Sequence, residues 1–322
     1  MFSDVELDCL VAAVTTVAAD VVQLELVAVN GRELPPWEPG SHIDLLLVGE
    51  DGTPLERQYS LCGDPSDRSR YRVAVLREVD GRGGSEAIHS AAPVGAPVRI
   101  RGPRNHFFFE PPAGAPVVFV AGGIGITPLV SMAAAAADEG RDFRLLYAGR
   151  SHDRMAFADE LVERYGARVQ LRVGAEGLLD VVRTVAELPA DAHVYACGPT
   201  RLIAALEDAW SERPRSQLHL EHFEPLEFGP PVWQEPFEVE LVQSGVTVEV
   251  PLERSILDVV EEQGALVVSS CRKGTCGTCE TPVLEGEIEH RDSVLTPDDQ
   301  ESGATMMICV SRAAGPRLVL DL

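Results

Sequence analysis

Four cysteines in the last third of the chain carry the plainest chemistry. Cys271, Cys276 and Cys279 are spaced C-x4-C-x2-C, and Cys309 follows after 29 residues. Four thiolates at that spacing suit the two irons of a plant-type [2Fe-2S] cluster. The loop must wrap an anionic group closely enough for backbone amides to reach its sulfurs. Gly274 and Gly277 fit that need, because a side chain there would stand in the way. Thr275 and Thr278 add hydroxyl donors. A structural zinc site usually pairs two C-x2-C knuckles or adds histidines. This chain has one such pair, and His290 lies well away in sequence. Cys9, Cys62 and Cys197 have no metal-ligand companion at short spacing and read as buried or site-lining thiols.

A second chemistry is anion binding. Gly122-Gly123-Ile124-Gly125-Ile126-Thr127-Pro128 follows an apolar strand and opens a helix, so its amides and the helix dipole face an incoming pyrophosphate. Cys197-Gly198-Pro199 repeats the strand-turn-helix arrangement, and turns of this kind line the carboxyl edge where open α/β sheets bind ligands. Arg150, after the second strand of the same region, is a candidate for ribose or phosphate oxygens, with a solvated loop charge as the alternative. Arg57-Gln58-Tyr59-Ser60 offers a guanidinium, an aromatic face and a hydroxyl together, which is what a flavin requires. Gly81-Arg82-Gly83-Gly84-Ser85 precedes a short helical stretch, residues 86–90, and forms a second phosphate nest. Taken alone, each of these two segments is equally an ordinary strand or turn.

The elements that must position these residues fall into three regions. Residues 1–110 contain short β-rich runs at 21–29, 43–48, 71–76 and 98–101, separated by turns rich in Gly, Pro and Asp. That spacing predicts an antiparallel barrel or sandwich. Residues 111–223 alternate strands (117–120, 143–148, 169–172, 193–196, 217–221) with helices (128–138, 154–165, 178–188, 200–210). The alternation predicts a parallel α/β sheet covered on both faces. Residues 224–235 hold Pro225, Pro230 and Pro231 without periodicity and read as a linker. Residues 236–322 open with a hairpin, 237–243 and 246–250, around Ser244-Gly245. Ser255 then caps a helix to residue 263, which makes this third region α+β.

Composition narrows the partners. The net charge of -24 repels a phosphate backbone, so nucleic acid is excluded as a partner. A dinucleotide remains open, because local arginines and a helix N-terminus outweigh distant charge within a Debye length of about 8 Å. Asp4, Glu6 and Asp8 stand where a secretory signal needs positive charge, and the chain has no apolar run long enough for a membrane span. The expectation is a cytoplasmic monomer with no membrane partner.

Arg57-x-Tyr59-Ser60, the 81–85 loop, Gly122-Gly123-x-Gly125-x-Thr127-Pro128, Cys197-Gly198-Pro199 and the four-cysteine pattern occur in one order. Together they resemble the phthalate dioxygenase reductase family over essentially the whole chain. Pro103-Arg104-Asn105-His106-Phe107, His290-Arg291-Asp292 and Ser311-Arg312 make it similar to the vanillate O-demethylase reductase branch. The resemblance implies an FMN-binding barrel, an NAD-binding domain and a β-grasp ferredoxin domain that pass electrons from NADH to a separate oxygenase, Rieske-type by preference. It implies that Arg57, Gly83, Gly84 and Ser85 hold the FMN phosphate, that Tyr59 packs on the ring and that Ser60 approaches N5. It also places the nicotinamide beside Ser60 and Thr127, and implies that Phe223 shields the flavin, although a core phenylalanine is nearly as good a reading of Phe223. Arg150, Ser151 and Arg154 leave NADPH open. A haem monooxygenase as acceptor, and a redox module without turnover, are the competing readings.

Overall fold

The structure, a computed structural model, describes residues 5–48, 52–78, 83–91, 93–174 and 179–322. The chain divides into two compact units, Met1–Phe223 and Glu224–Leu322.

The first unit begins with a six-stranded antiparallel sheet: β1 (Glu6–Ala18), β2 (Val21–Ala28), β3 (Ser41–Val48), β4 (Pro54–Ser60), β5 (Tyr71–Leu76) and β6 (Pro97–Asn105). Its order is β4-β3-β6-β1-β2-β5. A bridge between Leu61 and Val73, with the Cys62 amide donating to the Arg72 carbonyl, joins its two edges into a barrel. The barrel closes because alternate residues turn inward: Val11, Leu24, Leu26, Ile43, Leu45, Tyr71, Val73 and Ile100 fill one core. Strand β6 runs longer than the β-branched run at 98–101 suggests, since Arg104 pairs with buried Asp44 across β3 and so continues the ladder. Helix α1 (Gly84–Ala91) lies between β5 and β6 in sequence.

The same unit continues into a five-stranded parallel sheet: β7 (Val117–Gly122), β8 (Phe143–Gly149), β9 (Val169–Val173), β10 (His193–Cys197) and β11 (Leu218–Glu221). Helices α2 (Ile126–Asp138), α3 (Ala158–Tyr165), α4 (Val181–Ala186) and α5 (Thr200–Trp210) cover it. Two helices are shorter than their sequence pattern. Phe157 takes a left-handed conformation that starts α3 late, and Asp180 caps α4 through its side chain on the Arg183 amide. Leu178, where the α4 pattern begins, lies outside the described residues. Strand β7 is buried on both faces, which explains its unbroken apolar run. The sheet order is β11-β10-β7-β8-β9, so the winding reverses between β7 and β10.

The second unit is a mixed sheet ordered β13-β12-β18-β14-β16, made of β12 (Phe237–Leu241), β13 (Val246–Val250), β14 (Glu280–Glu285), β16 (Thr305–Met307) and β18 (Arg317–Leu320). A two-stranded ribbon pairs β15 (Ile288–Glu289) with β17 (Arg312–Ala313). Helix α6 (Ile256–Glu262) packs Ile256, Leu257, Val259 and Val260 on the sheet, and α7 (Pro297–Ser302) carries a capping box between Thr296 and Asp299. The hairpin at Ser244-Gly245 forms, with Gly245 at φ 66°. Among the described residues no helix is long and apolar enough to cross a membrane.

Candidate functional site: a thiol cage, a switch-point crevice and an arginine on a glycine turn

The loop between α6 and β14, together with the segment after β16, brings the four cysteines into one buried place. Cys271, Cys276, Cys279 and Cys309 are all less than a tenth exposed. Cys271 interacts with Cys276 and Cys309, and Cys279 with Cys309. A hydrogen bond from Cys276 holds the Cys271 thiol below its ordinary range, and one from Cys309 does the same for Cys279. Amides aim at the same sulfurs: Lys273 N at 3.3 Å and Thr275 N at 3.5 Å from Cys271 Sγ. Thr278 Oγ1 lies 3.1 Å from Cys276 Sγ, and the Thr275 hydroxyl also bonds Cys271. Four buried sulfurs ringed by donors suit a group of thiolates around iron.

Among the described residues no three His, Cys, Asp or Glu side chains are arranged to hold one metal ion. A two-iron cluster asks each iron for only two thiolates. Gly274 and Gly277 both have positive φ, at 71° and 74°, which alone selects glycine. A side chain on Gly274 would meet Val310 and Asp292 of the surrounding shell. The obstruction is thus to the loop's own packing. Burial pushes the thiols of Cys9 to about 11 and Cys62 to about 12, so both stay protonated core groups.

The two glycine turns of the parallel sheet meet at the point where its winding reverses. Ala121 and Cys197 are register partners at the ends of β7 and β10. A Cβ on Gly122 would lie 2.6 Å from Pro199 Cδ, and one on Gly198 would lie 3.0 Å from Gly122 Cα. A Cβ on Gly125 would come within 2.4 Å of the Cys197 carbonyl oxygen. Gly123 has open space but φ 55°, so its glycine answers to conformation and the others to closeness. The crevice at such a reversal is where open α/β sheets bind ligands. A dinucleotide fits it, since the amides of the turn leading into α2 and the start of α5 border it.

Thr127 is buried, and its hydroxyl donates to the Ile124 carbonyl at 3.0 Å, leaving lone pairs to offer a ligand. Arg150 is exposed just past β8. Phe223, two residues past β11, is 41% exposed and is not a core residue of its unit.

In the barrel, Gln58 bonds Asp44, and Asp44 pairs with Arg104, which pins β4 to β3 and β6. That places Tyr59 half-buried and Ser60 buried, with His42 as the register partner of Ser60. The Ser60 hydroxyl has no hydrogen-bond partner among the described residues. Arg57 reaches α1: a Cβ on Gly84 would lie 2.5 Å from Arg57 Nε. The structure therefore joins the guanidinium to the glycine turn, two features 27 residues apart in sequence. Ser85 Oγ accepts from the Glu78 amide at 3.0 Å and keeps its proton for another acceptor. Gly83 is exposed with φ 76°, and Gly81 and Arg82 lie outside the described residues. A guanidinium, open amides and a hydroxyl at a helix start fit a phosphate monoester of the FMN type.

Sequence reading missed Glu221. It is the register partner of Cys197 at the crevice, and its carboxyl hydrogen-bonds that thiol. The residue as a whole is half-buried, but Oε2 has no solvent contact and no hydrogen-bond partner. Burial pushes the carboxyl up to about 8. No motif announces it, and only the parallel pairing of β10 with β11 does. Because the folded state holds this proton more tightly than the unfolded chain, stability is greatest below the unfolded value near 4.5 and declines as pH rises through about 8. The decline approaches about 1.4 kcal/mol per pH unit at most. Glu221→Gln should flatten the melting-temperature profile across that window; a profile as steep as the wild type's would contradict the buried carboxyl.

Comparison with known proteins gives one family. Residues 119–208 match the oxidoreductase NAD-binding domain, and residues 239–314 match the 2Fe-2S iron-sulfur cluster binding domain. The reductase subunit of the toluene-4-sulfonate monooxygenase system of Comamonas testosteroni is 40% identical, over 97% of this chain and 98% of its own length. Phthalate dioxygenase reductase of Burkholderia cepacia is 38% identical, over 97% and 96%. The solved structure of phthalate dioxygenase reductase, described as modular for electron transfer from pyridine nucleotides to [2Fe-2S], superposes with a TM-score of 0.70 at 37% identity, over 99% of this chain and 98% of that one. An intact self-sufficient type IV cytochrome P450 monooxygenase matches with a TM-score of 0.91 and 42% identity, over 98% of this chain but 41% of the larger one.

Proposed function

Since the chain belongs to the phthalate dioxygenase reductase family, we propose that it is the reductase component of an oxygenase system, taking electrons from NADH to a separate Rieske-type aromatic oxygenase or demethylase. The observation that carries this reading is that one chain holds the thiol cage, the switch-point crevice and the arginine-on-glycine turn. Nicotinamide gives up a hydride, a two-electron unit, and a [2Fe-2S] cluster takes one electron at a time, so FMN supplies the conversion between them.

The residues divide that work. Arg57 with Gly83, Gly84 and Ser85 binds the FMN phosphate, and Tyr59 packs on the ring. Ser60, with its hydroxyl uncommitted, offers a hydrogen bond to the ring edge. Gly122, Gly123, Gly125, Cys197, Gly198 and Pro199 shape the crevice for NADH, with Thr127 at its floor and Arg150 at its rim. Phe223, exposed past β11, would shield the flavin. Cys271, Cys276, Cys279 and Cys309 hold the cluster. We divide the chain as FMN barrel 1–110, NAD domain 111–223, linker 224–235 and ferredoxin domain 236–322.

The purified protein should release FMN, one per chain, on heat denaturation; FAD in the extract would contradict the phosphate turn. Ser60→Ala should slow flavin reduction by NADH in stopped flow roughly fivefold or more, the loss expected for a positioned hydrogen bond worth about 1 to 3 kcal/mol, with cluster content unchanged. Equal rates would remove Ser60 from the site. The match to a cytochrome P450 chain favours a second acceptor class, a haem monooxygenase. Electron delivery to a Rieske oxygenase and to a P450, compared under one set of conditions, separates the two.

A further inference from the structure

A reductase of this kind needs a surface through which electrons leave, and the segment leading into the thiol cage exposes a large apolar side chain more fully than any other described residue. Leu266 is 98% exposed, the most exposed large apolar side chain among the described residues, and Val268 is 43% exposed. Both lie between α6, which ends at Glu262, and the first ligand, Cys271. Four residues lie between Leu266 and Cys271, so their Cα atoms, five steps apart, are at most about 17 Å from each other. Electron transfer falls off steeply with distance, which favours an exit close to the cluster.

The segment is held in place at both ends. The Ala265 amide donates to the Val260 carbonyl, Ser269 Oγ bonds Glu261 at 3.3 Å, and Arg272 pairs with Asp258 and Glu261. Its apolar tip is therefore presented to solvent by a preorganised loop, the form that lowers the cost of association.

Charge selects the partner. Residues 224–322 hold 19 acidic against 6 basic side chains. Their arginines are already engaged: Arg254 with Glu262, Arg272 with Asp258 and Glu261, Arg291 with Glu289, Arg317 with Glu240 and Glu285, and Arg312 with the carbonyls of Arg254 and Pro251. Glu280, next to the ligand Cys279, is exposed. An apolar centre in a negative field calls for a partner with an apolar spot inside an arginine- and lysine-rich rim.

We propose that the Leu266–Val268 segment is the electron-exit surface, and that its occupant is the oxygenase component, presenting such a basic-rimmed face. This rests on the reductase reading above.

Lys273 is the only lysine in the chain and sits in the cysteine loop two residues past Cys271, so amine acylation followed by mass spectrometry reports on that loop almost alone. The probe is cytochrome c, a basic one-electron haem protein, with ferricyanide as a small anionic acceptor. Saturating cytochrome c at low salt should slow Lys273 acylation several-fold. The double variant Leu266→Ser, Val268→Ser should raise the KM for cytochrome c about fivefold or more, with NADH-to-ferricyanide turnover unchanged. Acylation at the same rate with and without cytochrome c, or an unchanged KM in the variant, would overturn the proposal. A wild-type protein that fails to reduce ferricyanide from NADH would overturn the reductase reading instead.

Discussion

Cys309→Ser should abolish or severely deplete the cluster while leaving the first unit able to oxidise NADH. Cys309 is the proposed ligand most remote in sequence, yet its thiol meets both Cys271 and Cys279 inside the buried cage. A serine oxygen is nearly the same size, so packing around Ile308 and Met307 survives, but oxygen is a harder and poorer ligand for iron in a thiolate site. Cytochrome c reduction should fall at least tenfold, and flavin reduction by NADH should stay close to the wild-type rate, because that step precedes the cluster. If cytochrome c reduction held at its wild-type rate, electrons would be leaving by another route.

The second large effect is expected at Gly125. Its φ is -62°, a value any residue adopts, so alanine meets no conformational penalty there. The obstacle is contact: the added methyl would lie 2.4 Å from the Cys197 carbonyl oxygen and 2.6 Å from the Gly198 amide nitrogen. Both are backbone atoms in β10 and its turn, and they cannot swing away as a side chain would. Gly125→Ala must push the two turns apart, at a cost of about 1 to 3 kcal/mol for overpacking a close-fitted interior. It should also widen the crevice, so the KM for NADH should rise about tenfold or more, since small misplacements of a positioned substrate are costly. Melting temperature and NADH kinetics, measured on the same preparation, check both effects. A variant with unchanged stability and KM would mean that the two turns do not enclose the nucleotide.

The parts of this protein that could be read from sequence are those where spacing itself is the constraint. The four cysteines follow cluster geometry, and the buried strand β7 must be apolar on both faces. The alternation of strands and helices from Val117 onward leaves few topologies. What could not be read depends on register. Arg57 and Gly84 meet only because β4 and α1 fold together, and Glu221 reaches Cys197 only because β11 pairs in parallel with β10. Helix ends were also hidden. The late start of α3 follows from the left-handed Phe157, a conformation that no propensity assigns to phenylalanine. Gly274 was legible as a glycine site, but its packing reason lies in Val310 and Asp292, which the fold brings in from elsewhere.

The central claim is that electrons entering from NADH reach the four-cysteine centre within one chain. The most direct measurement is the low-temperature electron paramagnetic resonance spectrum after anaerobic reduction with NADH, taken on wild type beside Cys309→Ser. The wild type should show a plant-type [2Fe-2S] signal approaching one spin per chain, and the variant should lose it while the flavin band still bleaches. A bleached flavin with no cluster signal in the wild type, or a full plant-type signal in Cys309→Ser, would contradict the claim.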